Sequence, residues 1–185
     1  MGERKPLLAM IHPIPRYAVA LVAMSSLVHA AEQKPLKVGD AVPAVVCPDQ
    51  DGNKVELSKA GAKGLVLVYF YPKADTSGCT AQGCSLRDSW AELTKRGVSV
   101  YGVSVDSVAD QKAFKDKYRL PFTLLADKEN VVTKAFQGAS LSASIGFAKR
   151  QAYLFEDGKC ILADYSAPTS GQAEAILKFL EARKK

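Results

Sequence analysis

Cys79 and Cys84 lie five residues apart in the stretch YPKADTSGCTAQGCSLRD, residues 71–88. Residues 65–71, LVLVYFY, have the composition of a buried strand, and after the cysteines Leu86, Trp90 and Leu93 recur at helical spacing. Cys79 is therefore expected in the first turn of a helix that follows directly on a strand. Unpaired N–H groups and the positive end of the helix dipole favour an anion at that position, and the thiolate is the form of cysteine that attacks. Pro72 and Thr76 complete a P-x-x-x-T-x-x-C pattern. Proline fixes the exit from the strand and removes a donor. The threonine hydroxyl can donate to, or accept from, an oxygen-bearing substrate beside the sulfur.

The spacing of the two thiols restricts them further. In an intact helix, residues five apart rise ~7.5 Å and turn ~140°, which puts their Cα atoms ~8.6 Å apart. A disulfide needs roughly 4.4–6.8 Å. Cys79 and Cys84 cannot bond while that helix stands. Ala81 and Gly83 lie between them, and glycine is a weak helix former. The geometry fits a switch between a reduced helix and an oxidised, locally unwound form better than it fits a structural bridge.

The elements that must position these thiols alternate along the chain. Residues 42–47 and 54–57 form a hairpin about the turn at residues 50–53, and residues 65–71 form a central strand apolar on both faces. A helix is expected over residues 77–96 and is ended by Gly97; a strand follows over residues 98–105. Ser107 and Asp110 form a capping pair opening a helix that runs to Tyr118 with Val108 and Phe114 inward, and Pro121 stops it. A strand at residues 122–127, a helix at residues 129–136, a hairpin about Asp157-Gly158 and a last helix capped by Ser170 complete the order. Ile176, Leu177 and Leu180 form the inner stripe of that helix. The pattern is an α/β fold: a central mixed β-sheet flanked by helices, with an added N-terminal β-hairpin. Ligands in this class bind beyond the carboxyl ends of strands, where Cys79 falls.

The 185 residues, 48% apolar and 24% charged, fit one globular domain. The net charge of +6 comes without a basic stripe, which argues against nucleic-acid binding. Residues 1–30 have the order of a secretory signal peptide: Arg4, Lys5 and Arg16, then twelve apolar or small residues at 17–28, then a cleavage position after Ala30. Twelve residues are too few to span a membrane, so no span is expected once the leader is removed. The expected product is an exported, periplasmic domain of residues 31–185; a start placed too far upstream would make it cytoplasmic instead. Both histidines, His12 and His29, leave with the leader. A Ser-His-Asp triad, a Cys-His pair and a histidine-ligated metal site are thereby excluded. Cys47 and Cys160 sit in hairpin arms and read as buried small side chains or a second bridge.

The segment FYPKADTSGCTAQGCSLRD, with GVSVYGVSVD, LPFTLLAD and KRQAYLFEDGK after it, resembles the peroxiredoxins of the AhpC/TSA superfamily, most closely the Q-type or bacterioferritin-comigratory branch. The likeness runs from Leu36 to the C-terminus. It implies a thioredoxin-like fold and thiol peroxidase activity toward hydrogen peroxide and organic hydroperoxides, with no metal or organic cofactor. It implies that Cys79 is the peroxidatic cysteine, that Cys84 resolves its sulfenic acid as an intramolecular disulfide, and that Pro72, Thr76 and Arg150 complete the site. It also implies a monomer recycled by thioredoxin or a thioredoxin-like dithiol. Ser77 stands where this branch often has proline, and residues 137–149 match it poorly. The competing functions each lack a residue. A thiol–disulfide exchange protein would carry C-x-x-C, which is absent, and a copper-delivery protein would need a histidine beyond the leader.

Overall fold

The computed structural model describes residues 34–137 and 146–183. The leader at residues 1–30 lies outside the described residues, as does most of the poorly matching loop at 137–149.

The chain enters through a small antiparallel hairpin, β1 (Val46–Pro48) and β2 (Lys54–Glu56), with Cys47 opposite Val55. Asp49 shapes its turn by accepting from the backbone N–H of Asp51 and of Asn53, each at 2.9 Å. The second arm ends a residue earlier than its apolar pattern suggests, because Leu57 opens a short helix, α1 (Leu57–Ala60), and is fully buried there.

The main sheet has five strands: β3 (Leu65–Phe70), β4 (Val98–Ser104), β5 (Thr123–Ala126), β6 (Gln151–Glu156) and β7 (Lys159–Asp164). Their spatial order is β5-β4-β3-β6-β7; β3 runs parallel to β4 and antiparallel to β6. Strand β3 is central, and its alternating side chains enter two different cores. Leu67 and Tyr69, with Tyr71 just beyond the strand, join one core, while Val66, Val68 and Phe70 join the other. That division explains why its sequence is apolar without a break. Opposite Tyr69, residue 102 must be glycine: a Cβ there would stand 2.8 Å from the Tyr69 ring and 2.7 Å from Leu124.

On the Leu67–Tyr69 face pack α2 (Ser77–Asp88), α3 (Trp90–Lys95), α4 (Val108–Tyr118) and α6 (Gln172–Ala182). Helix α5 (Val131–Gln137) and the hairpin cover the other face. The single helix expected over 77–96 is two helices. Ser89, at φ −98° and ψ 10°, leaves α-helical geometry and sets a bend between them. Leu86 and Leu93 on either side of the bend both reach zero exposure, and Trp90 packs half-buried between them. The capping pair at α4 forms as a full capping box between Ser107 and Asp110. Inside that helix Gln111 is buried with Phe114, whereas Val108 is only partly covered. Ser170 does not cap α6; the position belongs to Gly171 at φ 74°, a left-handed conformation that glycine adopts without strain.

Candidate active site

Strand β3 delivers the chain to Tyr71 and Pro72, and residues 72–76 turn it into α2. Two carboxylates fix this loop. Asp106, just past the end of β4 and 5% exposed, accepts from the Ala74 N–H at 2.6 Å, the Ser104 hydroxyl at 2.7 Å and the Lys73 ammonium at 3.4 Å. Asp75 takes a left-handed φ of 60°, held by Lys117 at 2.7 Å and by the Tyr118 hydroxyl at 2.6 Å. These two contacts keep the Asp75 carboxyl below its ordinary range, Lys117 first. Behind the loop runs a buried chain of donors and acceptors. The Tyr71 hydroxyl donates to Gln111, whose amide donates to the Ser104 hydroxyl and to the Leu125 carbonyl, each at 2.8 Å. Burial raises the ionisation of Tyr71 above the usual tyrosine range, so it stays a neutral donor.

Thr76 is the N-cap of α2 and Cys79 lies in its first turn. The Thr76 hydroxyl donates to the Lys73 carbonyl at 3.0 Å, so toward solvent it offers acceptor lone pairs. Pro72 is half-buried at the loop's start. Cys79 is 1% exposed. Arg150, immediately before β6, brings its Nη2 to 3.4 Å from that sulfur, and its Nη1 donates to the Gln82 carbonyl oxygen. Gln82 in turn donates through Nε2 to Gln172 Oε1 at 2.9 Å, across ninety residues of sequence. Gly78 leaves room for this arrangement. A Cβ there would stand 3.3 Å from Arg150 Nη2 and 3.3 Å from Thr169, tighter than ordinary van der Waals contact.

Of the residues singled out in the sequence, Cys79 and Arg150 are thus brought into contact, Thr76 caps the helix that carries Cys79, and Pro72 starts the loop before it. Cys84 lies half-buried further along the unbroken helix α2, and all four cysteines are free. Cys79 and Cys84 therefore lie on one continuous helix with neither bonded to the other. Cys47 and Cys160 sit in the core beneath the opposite sheet face, each donating to a nearby carbonyl. Three residues escaped the sequence reading: Gln82, Gln172 and Asp106. Gln82 was within reach, three positions after Cys79 and so on its face of the helix. Gln172 and Asp106 reach the site only through tertiary contacts. Among the described residues, no group of three or more His, Cys, Asp or Glu gathers to hold a metal, and no helix is long and apolar enough to cross a membrane.

The arrangement is a buried sulfur at a helix start, faced by a guanidinium that is itself held by a buried amide. It can stabilise a thiolate and then negative charge passing to an atom leaving the sulfur's target. Comparison with known proteins points the same way. The AhpC/TSA family pattern matches residues 38–163. Peroxiredoxin Bcp of Escherichia coli (strain K12) is 39% identical over 152 residues, 80% of this chain and 97% of that protein. The chloroplastic peroxiredoxin Q of Suaeda salsa is 39% identical over 145 residues, 77% of this chain and 67% of its own length. The structure of a Xanthomonas campestris bacterioferritin comigratory protein, studied for its alkyl peroxide reduction, superposes with a TM-score of 0.69 at 27% identity. That match covers 79% of this chain and 100% of the other.

Proposed function

This chain belongs to the AhpC/TSA family, in its peroxiredoxin Q and Bcp branch, and from that premise we propose that it is a thiol peroxidase whose Cys79 and Cys84 work in sequence on one helix. The observation that carries the reading is the Arg150 guanidinium at 3.4 Å from a Cys79 sulfur in the first turn of α2.

The Cys79 thiolate attacks one oxygen of a hydroperoxide in line with the O–O bond. An S–O bond forms, the O–O bond breaks with its electron pair on the far oxygen, and that oxygen takes a proton and departs as water or an alcohol. Arg150 and the free N–H groups at the start of α2 stabilise the charge as it moves from sulfur to the leaving oxygen. Thr76 accepts a hydrogen bond from the peroxide O–H and orients it. Cys79 is left as a sulfenic acid. Helix α2 then unwinds at its start, the Cys84 sulfur displaces the sulfenic hydroxyl, and a disulfide and a second water are formed. An external dithiol reduces that disulfide by two exchange steps and is itself oxidised to a disulfide. A thioredoxin-like protein meets that need. If residues 1–30 act as the leader their pattern suggests, the donor is one resident in the periplasm. A monomer suffices for the peroxide and resolving steps, for which Cys79, Cys84, Thr76 and Arg150 all come from one chain.

The 1% exposure of Cys79 also favours this reading over thiol exchange with protein substrates, because a buried sulfur is harder for a folded partner to reach than for a small peroxide. The test is thiol mapping by intact mass after one equivalent of hydrogen peroxide. The expected result is loss of two thiols within seconds as a Cys79–Cys84 disulfide, with Cys84→Ser accumulating a sulfenic acid on Cys79. Four unreacted thiols would overturn the reading and make protein disulfide exchange the next assay.

A further inference from the structure

Gln82 lies between the two reactive cysteines and is fully buried. Its orientation is not a free choice. A guanidinium has donors only, so the Gln82 atom facing Arg150 must be the oxygen, and its NH2 must point the other way. The acceptor it meets is Gln172 Oε1 at 2.9 Å. That in turn fixes Gln172, which is 2% exposed, and leaves its Nε2 without a partner among the described residues. The closed site thus runs from Cys79 through Arg150 and Gln82 to the first residue of α6, and it ends on an unmet donor.

The two halves of α2 are held differently. Its far half is tied down by Arg87, which donates to the Tyr118 carbonyl at 2.9 Å. Among the described residues, the side-chain hydrogen bonds that reach the turns carrying Cys79 and Gln82 come from Arg150 and Gln172 alone. Unwinding those turns must break the Gln82–Gln172 bond. It also lets water reach the buried Gln172 amide, so the donor left unmet in the closed state gains a partner on opening.

We propose that Gln172 is a positioning residue for the Cys79 reaction: through Gln82 it holds Arg150 against the sulfur, and its release is the step that frees α2 to bring Cys84 to Cys79. The proposal rests on the peroxidase reading above. It assigns the C-terminal helix a part in both halves of the cycle. While the bond holds, Arg150 is aligned and Cys79 reacts with peroxide. Once it breaks, the sulfenic acid on Cys79 can condense with the Cys84 thiol, forming the S–S bond and releasing water.

The experiment measures two rates at one sulfur by rapid quench and intact mass: oxidation of Cys79 by hydrogen peroxide, and disulfide formation from the sulfenic acid. Gln172→Met keeps the side chain's length and removes the acceptor. It should slow oxidation about tenfold, as a displaced catalytic group does, and speed disulfide formation about fivefold, as loss of one hydrogen bond would. Less sulfinic acid should then accumulate at high peroxide. Gln172→Glu keeps an acceptor for Gln82 and should return both rates to within about a factor of 2 of the parent. Both rates unchanged in Gln172→Met, or both variants impaired alike, would overturn the proposal and leave the peroxidase reading standing. A parent chain that consumes no peroxide would overturn that reading and the proposal with it.

Discussion

Cys79 and Cys47 are both almost wholly buried, at 1% and 2% exposure, on opposite faces of the same sheet. Around Cys79 the protein gathers a helix start and the Arg150 guanidinium. Around Cys47 it gathers apolar side chains and the Asp127 carboxylate. Burial first, and that negative charge second, push its thiol up to about 12. Cys160, in the same core, is pushed up to about 11 by burial. Burial with no cation beside it thus holds the Cys47 and Cys160 thiols protonated, whereas Cys79 is buried against a held guanidinium. Residue type and exposure are alike at Cys79 and Cys47; what differs is the nearest charge and the backbone N–H groups.

The comparison breaks most sharply at the sulfur itself. Cys79→Ser should lower peroxide consumption by at least about a thousandfold, as loss of a nucleophile does, while the double variant Cys47→Ala/Cys160→Ala should stay within about twofold of the parent; a coupled peroxidase assay reads both. Removing the cation comes next. Arg150→Met should slow Cys79 oxidation about a hundredfold, and Arg150→Lys should recover only part of that, because an ammonium cannot serve sulfur and Gln82 together in the guanidinium's fixed plane. Stopped-flow oxidation of the reduced protein would decide it. Thr76→Val, which keeps shape and removes the hydroxyl proposed to receive the peroxide, should cost about tenfold in the same measurement.

How much of this was readable from the chain depended on how local the cause is. Cys79, Cys84, Pro72 and Thr76 lie within thirteen residues, and the strand before them and the helix after them follow from periodicity. So the sulfur's place at a helix start was legible. The Ser107–Asp110 capping box is equally local, and it formed. Arg150 was not legible from pattern alone, because a cation at a strand end looks the same whether it faces water or a sulfur; only the resemblance to a known family marked it. Gln172 and Asp106 were not legible at all. Polar residues look like surface in a sequence, and these two are buried only because elements distant in the chain supply their partners. The bend at Ser89 and the glycine cap of α6 escaped for a related reason. Helical periodicity passes through a one-residue break, and Ser170 has the right chemistry one position too early.

The smallest effect sharpens the other side of the comparison, and it concerns stability. The Cys47 and Cys160 thiols ionise near 12 and 11 in the folded protein against 9.0 without burial. Between pH 9 and pH 11 the unfolded chain gives up these protons while the folded one keeps them. The unfolded state then binds fewer protons, so stability falls as pH rises. The contribution is whole below pH 9, declines through the window, and is gone once the folded pKa values are passed. Discounted for water reaching the sites, each thiol should account for about 1–2 kcal/mol of the loss by pH 11. Urea unfolding midpoints of the parent and of Cys47→Ala/Cys160→Ala, taken at pH 8, 9, 10 and 11, would isolate the effect. The variant will start lower, because it loses buried volume, but its decline above pH 9 should be the shallower of the two. Parallel declines would mean that these two thiols ionise in the fold as readily as in the open chain, and burial on that face of the sheet would then not hold them protonated.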